Sequence, residues 1–162
     1  MKMEKYVLPF IEACENTFRD FVGTPLITGR PYLSNKNIEH EGEISAVIGF
    51  AGEARGMIVI SMKKEPALKI TEMLTGKVHT NINNEVIDAV GEIINIIAGN
   101  AKQGLEETFR LVISLPGIIK GANHRISWPE ESSRIISVPF KIFETDSLCL
   151  SVAIKATGEI SE

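Results

Sequence analysis

Asp88, Glu92, Asn95, Gly99 and Lys102 follow one another at spacings of four and three, which on an α-helix puts all five on one stripe. Within it a carboxylate stands one turn before an amide, and a glycine lies one turn beyond. A carboxylate in such a place can pair with a cation and steer its approach. An amide is a poor base at any pH, so Asn95 can position a reactant but not take its proton. The stripe is short, polar and open.

The element that must position it is a helix over residues 84–106, capped by Asn83 or Asn84. Val86, Ile87, Val90, Ile93, Ile94, Ile97, Ala98, Ala101 and Leu105 fall on the opposite side and form its buried face. Glycines stand at positions 91, 99 and 104 of this helix. Each costs roughly 1 kcal/mol against alanine in a helix interior, so something is expected to approach the backbone closely there. Gly91 and Gly104 suit another element of the same protein packing tightly. Gly99, beside Asn95 on the polar face, suits a partner surface sitting flush, with Glu92 and Asn95 projecting into it.

Spacing alone does not single out Glu92 and Asn95: with 18 Glu and 9 Asn in 162 residues, about one E-x-x-N arises by chance, and on the residues alone an ordinary solvated helix face is the better reading. Context carries the weight: the pair is mid-helix, points one way, is flanked by Gly91, Ala98 and Gly99, and backs onto a continuously apolar face. Other inventories offer little. His40, His79 and His124 lack a second ligand at metal spacing and read as solvated loop histidines. No G-x-S-x-G, phosphate-cradling glycine loop or Cys/His pairing occurs. Glu106 with Glu107 and Glu130 with Glu131 read as solvated surface, and Trp128 before Pro129 as a weak contact candidate.

Composition narrows the class. The 162 residues fit one domain, 1–162, and 44% hydrophobic content is ample for a core. Cys14 and Cys149 sit in apolar patterns and read as reduced, buried thiols. A net charge of −4 without a basic run argues against a nucleic-acid partner. No stretch approaches the roughly 18 apolar residues of a membrane span, and charges interrupt the opening MKMEKYVLPF, so no membrane segment or secretory signal is expected and the setting is cytoplasmic.

Along the chain, Phe10, Ile11, Cys14, Phe18, Phe21 and Val22 give a helix over residues 9–22 with Gly23 as its stop. Residues 24–33, broken by Pro25, Gly29 and Pro31, make at best an irregular or edge strand. Residues 43–50 and 54–62 read as a hairpin, and 65–74 as a short helix ended by Gly76. After the long helix come a strand over 111–119 interrupted at Pro116 and Gly117, a polar loop over 121–133, and two alternating strands, 134–143 and 148–154. Pro139 favours an edge or a bulge in the first of these. The class is α+β, an antiparallel sheet with helices packed on one face.

The segment Ala89-Val-Gly-Glu-Ile-Ile-Asn-Ile-Ile-Ala-Gly99 resembles the signature helix of the CheC/CheX/FliY family of chemotaxis phosphatases. The opening helix ending at Gly23, the Thr28-Gly29-Arg30-Pro31 segment, the hairpin around Gly56, the helix over 67–74 and the two closing strands extend the likeness over nearly the whole chain. A single E-x-x-N makes it closer to CheX than to CheC-type members, which commonly have two. The resemblance implies hydrolysis of the aspartyl phosphate on a CheY-like receiver, with Asn95 positioning the attacking water and Glu92 pairing with the receiver's lysine. Asp88, Gly99 and Lys102, on the same stripe, are the expected partner-binding residues. The resemblance also implies no metal or cofactor of the protein's own, Mg2+ carried by the phosphorylated receiver, and a homodimer formed by joining sheets. One position departs: family members often have glycine immediately before the motif asparagine, where this chain has Ile94.

Two other readings stay open at this stage. The same fold can bind a receiver or a flagellar-switch component without hydrolysing anything. A small-molecule enzyme would need a deep pocket with convergent polar groups, and nothing in the residues specifies one.

Overall fold

The computed structural model describes residues 2–34, 42–122, 124–128 and 134–158, with side chains from Tyr6 onward. Its first helix, α1 (Lys2–Thr17), starts a full turn and more before the expected position, with Pro9 inside it. An interior proline forfeits a backbone hydrogen bond, but Val7 and Phe10 are buried and the Tyr6 ring packs at a tilt against Phe109, centroids 5.1 Å apart, so packing outweighs the loss. The chain runs on into a π-helical segment, Phe18–Val22, which ends where Gly23 takes φ 87° and donates to the Phe18 carbonyl. The wider π turn shifts the phase of the side chains. Phe21, expected inside, is 48% exposed.

Two short strands follow, β1 (Ile27–Thr28) and β2 (Tyr32–Ser34), then the hairpin of β3 (Ile44–Gly52) and β4 (Ala54–Met62). Its register runs from Ile44↔Met62 to Phe50↔Gly56. Gly56 has no room for a side chain, because an added Cβ would collide with the Ala153 carbonyl of the neighbouring strand. Helix α2 (Lys64–Thr75) ends at Gly76 in the left-handed region, and α3 (Asn84–Leu105) follows. The remaining strands are β5 (Leu111–Ile113), β6 (Gly117–Lys120), β7 (Ile135–Ile142) and β8 (Asp146–Ala156).

All pairings are antiparallel, in the order β1/β2, β7, β8, β4, β3, β5/β6. The interruption expected at Pro116 is real: β5 pairs with the end of β3 and β6 with its start. Pro139, by contrast, lies in an interior strand. Its carbonyl accepts from Gly29 N–H, and in an extended strand the N–H and C=O of one residue face the same side. The missing donor therefore falls where β1 and β2 leave a break, at no cost to the β7–β8 ladder.

The three helices cover one face of the sheet. Ile44, Ala46, Ile48, Ile58, Ile60, Val138, Leu150 and Val152 meet Phe10, Phe18, Ile70, Ile93, Ile94 and Ile97 in one apolar cluster. The opposite face corrects the expectation of a polar 121–133 loop. Ile126 and Trp128, each 6% exposed, pack there on Val59, Ile135 and Ala153, so Trp128 is a core residue. Hydroxyls buried on that face satisfy one another, Ser45 with Ser61 at 2.6 Å and Ser137 with Ser151 at 2.8 Å.

Two histidines are also corrected from solvated loops to held groups. His124 bridges the Ser45 hydroxyl and the Gly121 carbonyl, both at 2.6 Å. The His79 side chain is 7% exposed, with Nδ1 at 3.1 Å from the Asn83 amide nitrogen and Nε2 at 3.3 Å from the Glu85 carboxylate. His40 and the Glu130–Glu131 pair lie outside the described residues, while Glu106 and Glu107 are exposed. Cys14 is buried and Cys149 half-buried, both free, and burial pushes both thiols above their ordinary range. No helix among the described residues is long and apolar enough to cross a membrane.

Candidate functional site on helix α3

The cap of α3 is Asn83, whose side-chain oxygen accepts from Val86 N–H at 3.1 Å. Closing an orphan donor there fixes where the first turn begins and therefore which residues face outward. Val86, Val90, Ile93, Ile94, Ile97, Ala98 and Ala101 are completely buried, and this continuous seam locks the rotation of the helix about its axis. The seam includes Ile94, so the residue that departs from the family pattern is a core residue.

With that rotation set, Asp88, Glu92 and Asn95 are exposed, and Gly99 and Lys102 are half-buried. The structure therefore brings together all five residues that spacing placed on the stripe. Glu92 and Asn95 are separated by about 4.5 Å along the helix axis. Neither side chain makes a hydrogen bond or ion pair with another described residue. A carboxylate and an amide held on a rigid helix, with no partner among the described residues, can bond to a second molecule.

Neighbouring elements form the borders of the stripe. On one side α1 packs against α3, where Asn100 donates to the Thr17 hydroxyl at 3.4 Å and a Cβ built on Gly104 would lie 3.2 Å from Pro9 Cβ. On the other side the turn between β5 and β6 reaches Gly91. A Cβ added there would meet Ile118 Cδ1 at 3.6 Å and Pro116 Cγ at 3.9 Å, ordinary contact rather than the close approach expected. At Gly99 nothing lies within 4 Å, so none of the described residues accounts for that glycine.

Sequence reasoning missed one surface feature next to this stripe. Leu115, between Ser114 and the proline that packs on Gly91, is 90% exposed. In the sequence it disappears into an apolar run read as an interrupted strand. An apolar residue directly before Pro116-Gly117 was the available sign that it belonged to a turn.

The family model described as chemotaxis phosphatase CheX matches residues 44–141, a span from β3 into β7 that contains all of α3. Over 156 residues the chain is 28% identical to the CheY-P phosphatase CheX of Thermotoga maritima, covering 95% of this chain and 98% of that one. It is similar to the crystal structure of chemotaxis protein CheX from Vibrio vulnificus, with a TM-score of 0.84, 27% identity, and coverage of 93% and 99% of the two chains. It is also similar to the CheX-CheY-BeF3-Mg2+ complex from Borrelia burgdorferi, with a TM-score of 0.77, 30% identity, and coverage of 93% and 97%. A signature helix displayed as an open ridge, and a family model that includes that helix within most of the chain, lead to one conclusion: this chain belongs to the CheX family of chemotaxis phosphatases.

Proposed function

We propose that the protein hydrolyses the aspartyl phosphate of a phosphorylated CheY-type receiver, using Asn95 and Glu92. The observation that carries this reading is the exposed pair on α3, unpartnered among the described residues, in a chain of this family. Asn95 holds the attacking water in line with the phosphorus, and Glu92 pairs with a lysine of the receiver. Water adds to phosphorus, the bond to the aspartyl oxygen breaks, and a free carboxylate and inorganic phosphate result. Phosphoryl transfer needs in-line placement and charge neutralisation more than covalent assistance, so two positioned side chains suffice on the phosphatase side.

Asp88, Gly99 and Lys102 complete the footprint, with Gly99 allowing close approach and the two charges setting register. Mg2+ belongs to the receiver in this reading. The Borrelia complex contains CheY and Mg2+ together, and among the described residues no group of three or more His, Cys, Asp or Glu gathers to hold a metal. The setting that goes with such a substrate is the cytoplasm.

The reading includes a homodimer made by joining sheets. The β1/β2 edge supports it: Ile27, Tyr32 and Leu33 are exposed there, beside Leu8 and a cleft of about 310 Å3. Exposed apolar edges favour pairing with another chain. Sedimentation of the wild type against Leu33→Lys checks this.

The test of activity is a screen of the host's receivers, phosphorylated with acetyl phosphate in Mg2+, for faster loss of phosphate when the protein is added. At least one receiver is expected to lose phosphate well above its intrinsic rate. A receiver that binds but decays at its own rate would support the non-catalytic module instead.

A further inference from the structure

Leu115 is 90% exposed, the most exposed large apolar residue described. Exposed leucines are common on mobile loops and mean little there. This one is on a turn that is tied down. Ser114 N–H donates to the Gly49 carbonyl at 3.0 Å, and Gly49 N–H donates to the Ser114 hydroxyl at 2.9 Å. The same hydroxyl donates to the Leu115 carbonyl at 3.0 Å, and Pro116 fixes the next backbone angle. Pro116 in turn lies next to Gly91, with its Cγ 3.9 Å from where a Cβ would stand, and Gly91 precedes Asn95 by one turn on the same side of α3. The turn that carries this stiff apolar knob thus borders α3 one turn before Asn95.

We infer that Leu115 is the apolar anchor through which the protein seats its receiver, entering an apolar recess next to the receiver's phosphorylation site. The inference rests on the proposed receiver phosphatase activity and adds a docking residue outside the helix. A leucine already held in its bound conformation loses little freedom on association, which is why pre-organised apolar side chains dominate binding energy. Glu92 and Lys102 supply charge, but charges at an exposed rim mainly guide approach. Removal of one apolar side chain from water is the part of this surface that can give lasting affinity.

The experiment compares Leu115→Ser, Asn95→Ala and Val112→Ser on a receiver that the wild type accelerates, with rates measured across receiver concentration. Val112 is 69% exposed on the same sheet edge but faces the side away from the helices. For Leu115→Ser the receiver concentration at half-maximal rate should rise roughly tenfold or more while the saturated rate holds, since full burial of a leucine is worth about that factor. Binding to the beryllofluoride-loaded receiver should weaken by the same factor. Val112→Ser should leave both parameters at wild-type values. An unchanged half-maximal concentration for Leu115→Ser, or an equal rise for Val112→Ser, overturns the anchor. Loss of the saturated rate only in Asn95→Ala keeps the catalytic reading standing whichever way Leu115 falls, and full activity of Asn95→Ala would sink that reading instead.

Discussion

Ile94 and Asn95 are neighbours in the chain and opposites in environment: Ile94 is completely buried under the sheet-facing side of α3, and Asn95 is exposed to solvent. The first holds the rotation of the helix that presents the second. In the proposed mechanism catalysis and stability therefore fall to adjacent residues and can be tested separately.

Asn95→Ala should lower the saturated dephosphorylation rate by about a hundredfold or more, as loss of a positioning group does. Receiver binding should stay within about threefold. Because the side chain is exposed and has no partner among the described residues, unfolding in urea should move by no more than about 0.5 kcal/mol. Stopped-flow phosphate release and binding to a beryllofluoride-loaded receiver give the two readings. A variant as fast as wild type would remove Asn95 from the mechanism.

Ile94→Ala should show the reverse pattern. Removing a fully buried isoleucine costs about 2–5 kcal/mol, read as a drop in the urea midpoint. Where the variant remains folded, its activity should stay near wild type. Selective loss of rate without loss of stability would mean that this position contacts the receiver.

Glu92→Ala should weaken both rate and binding, and it should flatten the dependence of binding on ionic strength. A carboxylate meeting a lysine at a rim is screened over about 8 Å in 0.15 M salt, so the wild type should lose affinity as salt rises. Parallel salt curves for wild type and variant would show that Glu92 carries no charge pairing.

Gly99→Ala and Gly104→Ala should differ although both replace a helical glycine. Alanine is worth about 1 kcal/mol at Gly99, where the methyl would meet nothing within 4 Å. At Gly104 it would press on Pro9 at 3.2 Å, so the gain should be smaller or reversed. Gly99→Ala should nevertheless lower phosphatase activity by holding the receiver off the helix. A more stable protein with full activity would remove Gly99 from the receiver's footprint.

Cys14 supplies a pH test. Burial pushes its thiol above the ordinary value of 9.0. Above that pH the unfolded chain releases the proton while the folded chain keeps it, so stability falls as pH rises. The stability difference between wild type and Cys14→Ala should therefore shift against the wild type by about 1.4 kcal/mol per pH unit above 9. A difference that stays constant from pH 8 to 10.5 would show that the thiol ionises in place.

The sequence by itself determined the elements whose side chains repeat. The 3.6-residue period set α3, its buried seam and its five-residue polar stripe, β-rich runs marked the β3–β4 hairpin, and the two-residue period marked β7 and β8. These patterns are legible because burial acts on every third or fourth residue of a helix and every second residue of a strand. The tertiary structure alone decided what depended on distant neighbours. Pro139 sits harmlessly in an interior strand because β1 and β2 break opposite it. Ile126 and Trp128 left their polar segment for the far face of the sheet, and His124 found Ser45, 79 positions away in the chain. The turn that carries Leu115 is fixed because Ser114 bonds across to Gly49, 65 positions distant. No local pattern carries such pairings, since the energy that selects them comes from surfaces that meet only once the chain has folded.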